Sequence, residues 1–279
     1  MKTVHKIAAA RALYRLVHMG RSALGRTDHT TVVRDGVSYE LDLSQGIDFA
    51  IYLDQFERTT ARALRRLTEP GSLVLDIGAN VGAHTLRLAS LVGPNGQVFA
   101  FEPTDFAFGK LQRNLSLNPS LASRVLPFNC FLTESGETDV PGAIYSSWPL
   151  VGGTELHAKH LGREMRTASA RAQSLDSALS EHAGRKVQLV KLDVDGYECQ
   201  VLRGASRMLR IDRPIFVMEL APYVLEERGS SLAELLSFFV PHGYALFAEE
   251  TEKRLPSRAD ELQGLIADGE SMNVIARIA

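Results

Sequence analysis

The sequence predicts an open α/β fold, with a mostly parallel sheet and helices on both of its faces. After Gly71, short apolar runs alternate with longer amphipathic stretches, which is typical of βαβ units. The first run leads directly into a turn that contains Gly78 and Gly82, and such a turn between a strand and a helix is common in ligand-binding α/β domains. With 45% hydrophobic and 23% charged residues, the chain has the composition of an ordinary globular protein.

Residues 1–70 are predicted to form an N-terminal extension that begins with a helix. Residues 1–20 mix apolar and basic side chains, which favours an amphipathic helix that caps the domain over an anchor on a membrane surface. Arg11 and Arg15 interrupt the apolar run that a signal peptide needs. No stretch reaches the ~20 apolar residues that span a bilayer, so a transmembrane segment is not expected.

A hairpin and a second helix complete the predicted extension. Alternating apolar residues from Thr30 to Leu43 flank Asp35-Gly36, a dipeptide that favours a tight hairpin turn. The apolar spacing from Phe49 to Leu67 is helical. The first helix and the hairpin are also candidate elements of a homodimer.

Residues 71–279 are predicted to form the main domain. Its expected strands are short apolar runs bounded by turn residues or charges: Ser72–Ile77, Gln97–Phe101, Val125–Phe131, Val187–Leu192, Pro214–Met218, Gly243–Ala248 and Asn273–Ile278. The interval of about residues 132–186 is too long for a simple connection and predicts a lid-like insertion.

The turn after the first strand predicts a site for a nucleotide-type ligand. Gly78 and Gly82 allow close approach to the backbone. Glu102 follows Gly82 by about 20 residues, where a carboxylate binds ribose hydroxyls. Asp76 would repel a diphosphate but attract the ammonium and sulfonium of S-adenosylmethionine, and Asn80 replaces a glycine of the dinucleotide motif. S-adenosylmethionine is therefore favoured over a nicotinamide cofactor.

A second group of carboxylates follows a later strand. Lys191 lies near the end of that strand, and Asp193 and Asp195 come directly after it. Because the carboxyl ends of parallel strands line the ligand crevice, these residues are expected to face the same cleft as Asp76. For Asp195 and Glu198, acidic stabilisation of a helix N-terminus is an equally good interpretation.

These motifs together resemble the FkbM family of S-adenosylmethionine-dependent methyltransferases. The similarity extends from about Gly71 to Leu220, and the matching segments are Asp76–Gly82, Phe101–Pro103, Lys110-Leu111 with Asn114, and Lys191–Ala205. The resemblance implies a Rossmann-like class I methyltransferase fold with a seven-stranded sheet. It also implies that Asp76, Gly78, Asn80, Gly82 and Glu102 hold the donor and that Asn129 lies near its adenine.

Methyl transfer to a hydroxyl requires alignment of donor and acceptor and removal of a proton. The candidate catalytic residues are His157 as the base, Asp193 to orient or accept, and Lys191 to polarise or to neutralise acids. His160 and His84 are alternative bases. No metal is predicted, since Asp193 and Glu219 alone make a poor divalent site. Trp148 and Tyr145 are candidates either to stack on a sugar ring or to pack the lid.

The function expected from the sequence is therefore O-methylation of a sugar, a glycan or a polyketide-type small molecule. A non-catalytic module that binds S-adenosylmethionine is the alternative, followed by a nicotinamide-dependent oxidoreductase. Nucleic acid is not an expected partner, because 31 basic residues against 33 acidic ones give a net charge of −2. The two cysteines indicate no disulfide framework, so a cytoplasmic location is expected.

Overall fold

A computed structural model of the chain describes residues 3–146, 149–152, 162–182 and 184–279. The strands are β1 His29–Arg34, β2 Val37–Asp42, β3 Leu73–Ile77, β4 Gln97–Phe101, β5 Val125–Phe128, β6 Cys130–Leu132, β7 Ala143–Ser146, β8 Arg163–Arg166, β9 Arg171–Gln173, β10 Val187–Leu192, β11 Ile215–Leu220, β12 Tyr244–Ala248 and β13 Met272–Ile278. The helices are α1 Thr3–Ala23, α2 Gly46–Tyr52, α3 Arg58–Leu67, α4 Ala83–Val92, α5 Asp105–Ser116, α6 Pro119–Ala122, α7 Leu175–His182, α8 Glu198–Arg203, α9 Ser206–Ile211, α10 Pro222–Glu227, α11 Leu232–Phe239 and α12 Ala259–Gln263, with a 3-10 helix at Val240–His242.

Seven strands of the described chain form one sheet, here called the main sheet, in the order β12-β13-β11-β10-β3-β4-β5. The pairs from β11 to β5 are parallel, and β13 runs antiparallel between β11 and β12. All strands but β13 therefore end at the same edge, where ligands bind in such sheets. Six of the seven predicted main strands are confirmed, with ends that shift by at most two residues, and the strand predicted from Val125 to Phe131 is shorter.

Alternating residues of these buried strands supply two cores, one on each face of the main sheet. Leu73, Leu75 and Ile77 pack with residues of α7, α8, α9 and α11 on one face. Val74, with side chains from neighbouring strands, packs against α3 and α4 on the other. Both faces are thus covered by helices, which is why the strands have near-continuous apolar sequences.

The N-terminal hairpin is confirmed, but the single helix predicted from Phe49 to Leu67 is wrong. The chain forms α2 and α3 instead, and Asp54 and Glu57 between them have left-handed backbone conformations. The apolar residues of the two helices belong to different cores. Phe49 packs with the hairpin, whereas Leu64 packs on the main sheet. One straight helix could not place its apolar side chains in both cores, although the apolar spacing in the sequence is nearly continuous.

Two buried asparagines, Asn114 in α5 and Asn118 just after it, join the hairpin to the main domain. The backbone N–H of Glu40 donates to Asn114 Oδ1 at 2.8 Å. Asn118 exchanges hydrogen bonds with the backbone of Ser38, at 2.9 Å and 2.7 Å. These amides satisfy polar groups along β2 that a missing neighbouring strand would otherwise leave open. Asn114 also donates to the carbonyl of Val81, in the turn after β3, at 2.8 Å.

The described part of the long interval differs from a simple lid. β7 and β8 form an antiparallel pair, whereas β9 pairs with β6 and buried residues of α7 join the core of the main sheet. The strand predicted from Val125 to Phe131 is also divided, since β5 ends before Asn129 and β6 begins after it. β6 leaves the main sheet to pair with β9. In the described ranges, no helix combines the length and apolarity needed to cross a membrane.

Candidate active site

A cavity of about 860 Å³ opens at the carboxyl edge of the main sheet. Residues at or just after the carboxyl ends of β3, β4, β10, β11 and β12 contribute to its walls, together with the start of α3 and part of β7. Two turns of backbone line it, the one after β3 and the one after β10. The cavity lies where the sequence places the ligand crevice.

The turn after β3 is held tightly against the end of β10. Gly78 has a φ of +79°, and a Cβ added to it would lie only 1.8 Å from the carbonyl oxygen of Asp193. A Cβ on Gly82 would lie 2.6 Å from the side chain of Leu111. Both glycines are therefore required first by the packing of the turn, a reason that the sequence does not reveal. Asn80 is also left-handed, with a φ of +49°.

Glu102 links this turn to the end of β4. Its Oε2 accepts the backbone N–H of Asn80 at 3.0 Å, and its Oε1 accepts the N–H and hydroxyl of Thr104 at 2.9 Å and 2.6 Å. Burial raises the pKa of the Glu102 carboxyl, although these hydrogen bonds oppose the shift. The side chain lines the cavity in a fixed orientation, as a group that accepts hydroxyl hydrogen bonds must.

Lys191 is the buried cation of the site. Its Nζ donates to the carbonyl of Gly78 at 3.0 Å and lies 3.7 Å from Asp76 Oδ1 and 3.3 Å from Asp193 Oδ2. Burial alone would lower its pKa, but Asp193, Asp76 and Glu57 raise the pKa of Lys191 above its usual value. The lysine therefore stays charged. This supports its predicted role in neutralising acids and makes it unfit as a proton acceptor.

Three of the predicted donor residues line the cavity and three lie directly behind its wall. Gly78, Asn80 and Glu102 line it. The carboxylate of Asp76 is fully buried and accepts the Thr85 hydroxyl at 2.6 Å, and Gly82 begins α4. Asn129 donates to the carbonyl of Glu102 at 3.1 Å.

Two of the three predicted catalytic residues lie in the part of the chain that the structure describes. Asp193 and Lys191 line the cavity, whereas His157, His160 and Trp148 lie outside the described residues. Among the described histidines, His84 is the one that lines it, and its Nε2 lies 2.7 Å from Glu57 Oε2. Burial would raise the pKa of Glu57, but the hydrogen bond from His84 lowers it. Glu57 belongs to no recognisable motif, so it could not be selected from the sequence.

Four polar residues form a row across neighbouring strands at this edge, here called the terminal row: Asp193, Glu219, Asn273 and Glu249. Glu219 lies opposite Asn273 in the β11–β13 register. The N–H of Glu249 donates to the Asn273 carbonyl at 3.1 Å. Asp193 follows β10 beside β11. Asn273 and Glu249 were missed from the sequence, although Glu249 follows a predicted strand just as Glu219 does.

Acidic groups dominate the cavity. Its carboxylates are those of Glu57, Glu102, Asp193, Asp195, Glu219, Glu249 and Glu250, and of the described lysines and arginines Lys191 alone lines it. Burial, followed by the charge of Asp193, raises the pKa of Glu219 to about 7 and that of Asp195 well above its usual value. Such a cavity attracts positively charged ligands and disfavours anionic ones.

The glycine turn, the Glu102 carboxylate and the acidic cavity lie at one edge of a doubly wound sheet. This arrangement is typical of α/β proteins that bind nucleotide-type ligands. The family follows from a direct comparison. Residues 76–246 match the family described as the methyltransferase FkbM domain. The chain belongs to this family, and its main domain has the Rossmann-like class I methyltransferase fold.

Several curated proteins are similar to this chain. A hexuronic acid methyltransferase of Haloferax volcanii is 28% identical over 156 residues, which are 55% of this chain and 58% of that protein. A methyltransferase of Sordaria araneosa is 24% identical over 214 residues, 67% of this chain and 82% of that protein. A 2-O-methyltransferase of Sinorhizobium fredii is 26% identical over 162 residues, 54% and 64% of the two chains. The chain thus spans less than two thirds of the length of several relatives.

Solved structures resemble the chain more distantly. The methyltransferase FkbM of Methylobacillus flagellatus has a TM-score of 0.43 and 15% identity, covering 77% of this chain and 50% of that one. An S-adenosylmethionine-dependent O-methyltransferase of Thermotoga maritima has a TM-score of 0.44 and 14% identity, covering 92% and 81%.

Proposed function

We propose that this protein transfers a methyl group from S-adenosylmethionine to a hydroxyl of a sugar, a glycan or a polyketide-type small molecule. The observation that carries the proposal is the joining of the glycine turn, Glu102 and the acidic cavity at one sheet edge in a chain of this family. The names of the hexuronic acid and 2-O-methyltransferase relatives support an oxygen acceptor on a sugar.

The residues present fit the donor. The Glu102 carboxylate is fixed by Asn80 and Thr104 and can still accept hydrogen bonds from ribose hydroxyls. The acidic lining suits the positive charges of the methionine moiety. When bound, S-adenosylmethionine supplies an electrophilic methyl group. In this proposal Gly78, Asn80 and Glu102 contact the donor, and Asp76, Gly82 and Asn129 hold those residues in place.

The protein's own groups then position the acceptor and manage its proton. Asp193 lines the cavity beside the turn and is proposed to orient the acceptor hydroxyl. Lys191 lies within ion-pair distance of both Asp193 and Asp76 and balances their negative charge. His157 is proposed as the proton acceptor, with the pair of His84 and Glu57 as the alternative.

A homodimer and a cytoplasmic location are also part of the proposal. α1 exposes large apolar side chains, among them Leu16 at 62% and Met19 at 60%, which supports its use as a dimer element. Cys130 and Cys199 are both free and buried, as is common in a reducing compartment.

Titration with S-adenosylhomocysteine tests donor binding. Replacing Glu102 by Ala is expected to weaken binding by roughly 10-fold to 100-fold, since it removes charge-assisted hydrogen bonds of about 1.5 to 3 kcal/mol. Asp76→Ala is expected to act in the same direction. Glu164→Ala, at an exposed position, is the control. Binding of NAD, or unchanged affinity in both site variants, would contradict the donor assignment.

Turnover of His157→Ala tests the proton acceptor. We expect nearly unchanged affinity for S-adenosylmethionine and a rate lowered by ~100-fold or more, the scale of a lost general base. The rate is measured by mass spectrometry as the gain of one methyl group on candidate sugars and polyketides. Normal turnover of this variant would reject His157. If His84→Ala then lowered the rate by a similar factor, His84 would be assigned as the proton acceptor.

A further inference from the structure

We infer that the terminal row binds a protonated amine carried by the methyl acceptor. This inference rests on the proposed function, since it concerns the acceptor of that reaction. It assigns a charge to the acceptor, which neither the glycine turn nor the family match specifies.

The two ends of the terminal row have different surroundings. At one end, Asp193 is next to the turn of Gly78, its N–H donates to the carbonyl of Ile77 at 3.1 Å, and its carboxylate is neutralised by Lys191. At the other end, Glu219 and Glu249 flank Asn273. With strands ~4.8 Å apart, these two carboxylates are ~10 Å from each other across Asn273. The turn after β3, which contains Gly78 and Asn80, is called the donor turn. A ligand bound between Glu219 and Glu249 would lie beyond this turn, where the acceptor is expected.

Glu249 has an unmet need for a hydrogen-bond donor. The side chain is 4% exposed and lines the cavity, and its Oε1 has no hydrogen-bond partner among the described residues. Among the same residues, its Oε2 receives one long hydrogen bond of 3.4 Å from Asn273 Nδ2, which also donates to Thr60 Oγ1 at 3.1 Å. A buried carboxylate oxygen without a donor is costly, so a donor from a ligand would be strongly favoured.

An ammonium group meets this need better than a hydroxyl or an anion. Glu219 receives the hydroxyl of Ser271, and no lysine or arginine of the described chain other than Lys191 lines the cavity. An ammonium has three donors and a positive charge, so it can bond to more than one acceptor of the row. A carboxylate or phosphate on the acceptor would be repelled. In the described ranges, no group of three or more His, Cys, Asp or Glu side chains is arranged to hold a metal ion.

Three sugars of similar size test the inference. Glucosamine carries an ammonium group, glucose is uncharged, and glucuronate carries a carboxylate. Each is titrated by calorimetry into the full chain saturated with S-adenosylhomocysteine. Glucosamine is expected to bind at least about tenfold more tightly than glucose, the scale on which a charge-assisted hydrogen bond exceeds a neutral one. Glucuronate is expected to bind more weakly than glucose.

Glu249→Gln is expected to reduce glucosamine affinity to the level of glucose, to leave the affinity for S-adenosylhomocysteine unchanged, and to give a thermal unfolding midpoint no lower than that of the wild type, since the substitution removes a buried charge. Glu252→Gln is the control, because Glu252 pairs with Arg66 and Arg277 outside the cavity. Failure of glucosamine to bind, equal affinity for glucose or glucuronate, or full glucosamine affinity in Glu249→Gln would each overturn the inference. Absence of S-adenosylhomocysteine binding would instead reject the proposed function.

Discussion

At the scale of single residues, Gly78 places the strictest demand on the donor turn. Gly71 provides a matched comparison, because it has nearly the same φ, +80° against +79°, but no atom of the described residues lies within 4 Å of an added Cβ. At both positions an alanine would have to adopt a left-handed backbone conformation, which costs roughly 1 to 2 kcal/mol. Only Gly78 adds a collision with the backbone of Asp193.

We therefore expect Gly71→Ala to lower the free energy of unfolding by about 1 to 2 kcal/mol and to leave donor affinity intact. Gly78→Ala is expected to cost about 1 to 3 kcal/mol more, the usual cost of overpacking, and to weaken binding because Asp193 and Lys191 must move. Chemical denaturation and S-adenosylhomocysteine titration measure the two effects. Equal losses in both variants would show that the contact with Asp193 does not constrain the turn.

Residues of the site were predictable where a general rule about strand ends applied. Glu102, Asp193 and Glu219 follow or end apolar strands, and the structure brings all three to the cavity. The rule does not apply to Glu57, which belongs to the N-terminal extension and has a left-handed backbone conformation with a φ of +39°. Only the folded chain shows that this segment crosses the sheet edge to meet His84.

At the scale of elements, the strands were more predictable than the helices. The buried strands of the main sheet have short, nearly continuous apolar sequences that end in turn residues, a pattern with few alternatives. The break between α2 and α3 was not predictable, because Leu53 and Phe56 continue the helical spacing. In the structure both pack on the core of the hairpin, whereas Leu64 of α3 packs on the main sheet. Tertiary packing overrides local periodicity at this point.

Asn114 of α5 links the hairpin to the turn after β3, and Asn118, which follows α5, allows that link to be tested. Asn114 and Asn118 both bond to the backbone of β2, but Asn114 alone also bonds to Val81. Replacement of either by Ala is expected to lower stability by about 1 to 3 kcal/mol, since buried backbone groups lose their partners.

Donor affinity is expected to separate the two variants. Asn114→Ala should weaken S-adenosylhomocysteine binding several-fold because the turn carrying Asn80 loses support, whereas Asn118→Ala should bind normally. Chemical denaturation and ligand titration on the same preparations provide the comparison. Similar affinities in the two variants would mean that α5 stabilises the hairpin without influencing the donor turn.

At the scale of the whole molecule, stability and function place opposite demands on the acidic edge. Burial of carboxyl groups around one cavity suits a cationic ligand but disfavours the ionised form of each group in the absence of a ligand. Glu198, at the start of α8 behind the cavity, is 5% exposed, and burial raises its pKa to about 7. Its Oε1 accepts the backbone N–H groups of Val194 and Gly196 at 3.2 Å and 3.3 Å.

The raised pKa of Glu198 predicts that the protein loses stability as pH rises toward neutrality. Between the ordinary glutamate pKa of 4.5 and the folded value of about 7, the native state retains a proton that the unfolded chain has released, so the free energy of unfolding falls with increasing pH. The contribution is complete below the unfolded pKa and is lost above the folded one, by up to about 3 kcal/mol. Glu198→Gln keeps the acceptor oxygen but cannot ionise, so its unfolding midpoint should decline less from pH 5 to about pH 8, as measured by calorimetry. Glu164→Gln, at an exposed position, should leave the wild-type decline unchanged. An identical pH dependence in the wild type and in Glu198→Gln would show that this carboxyl group does not contribute to it.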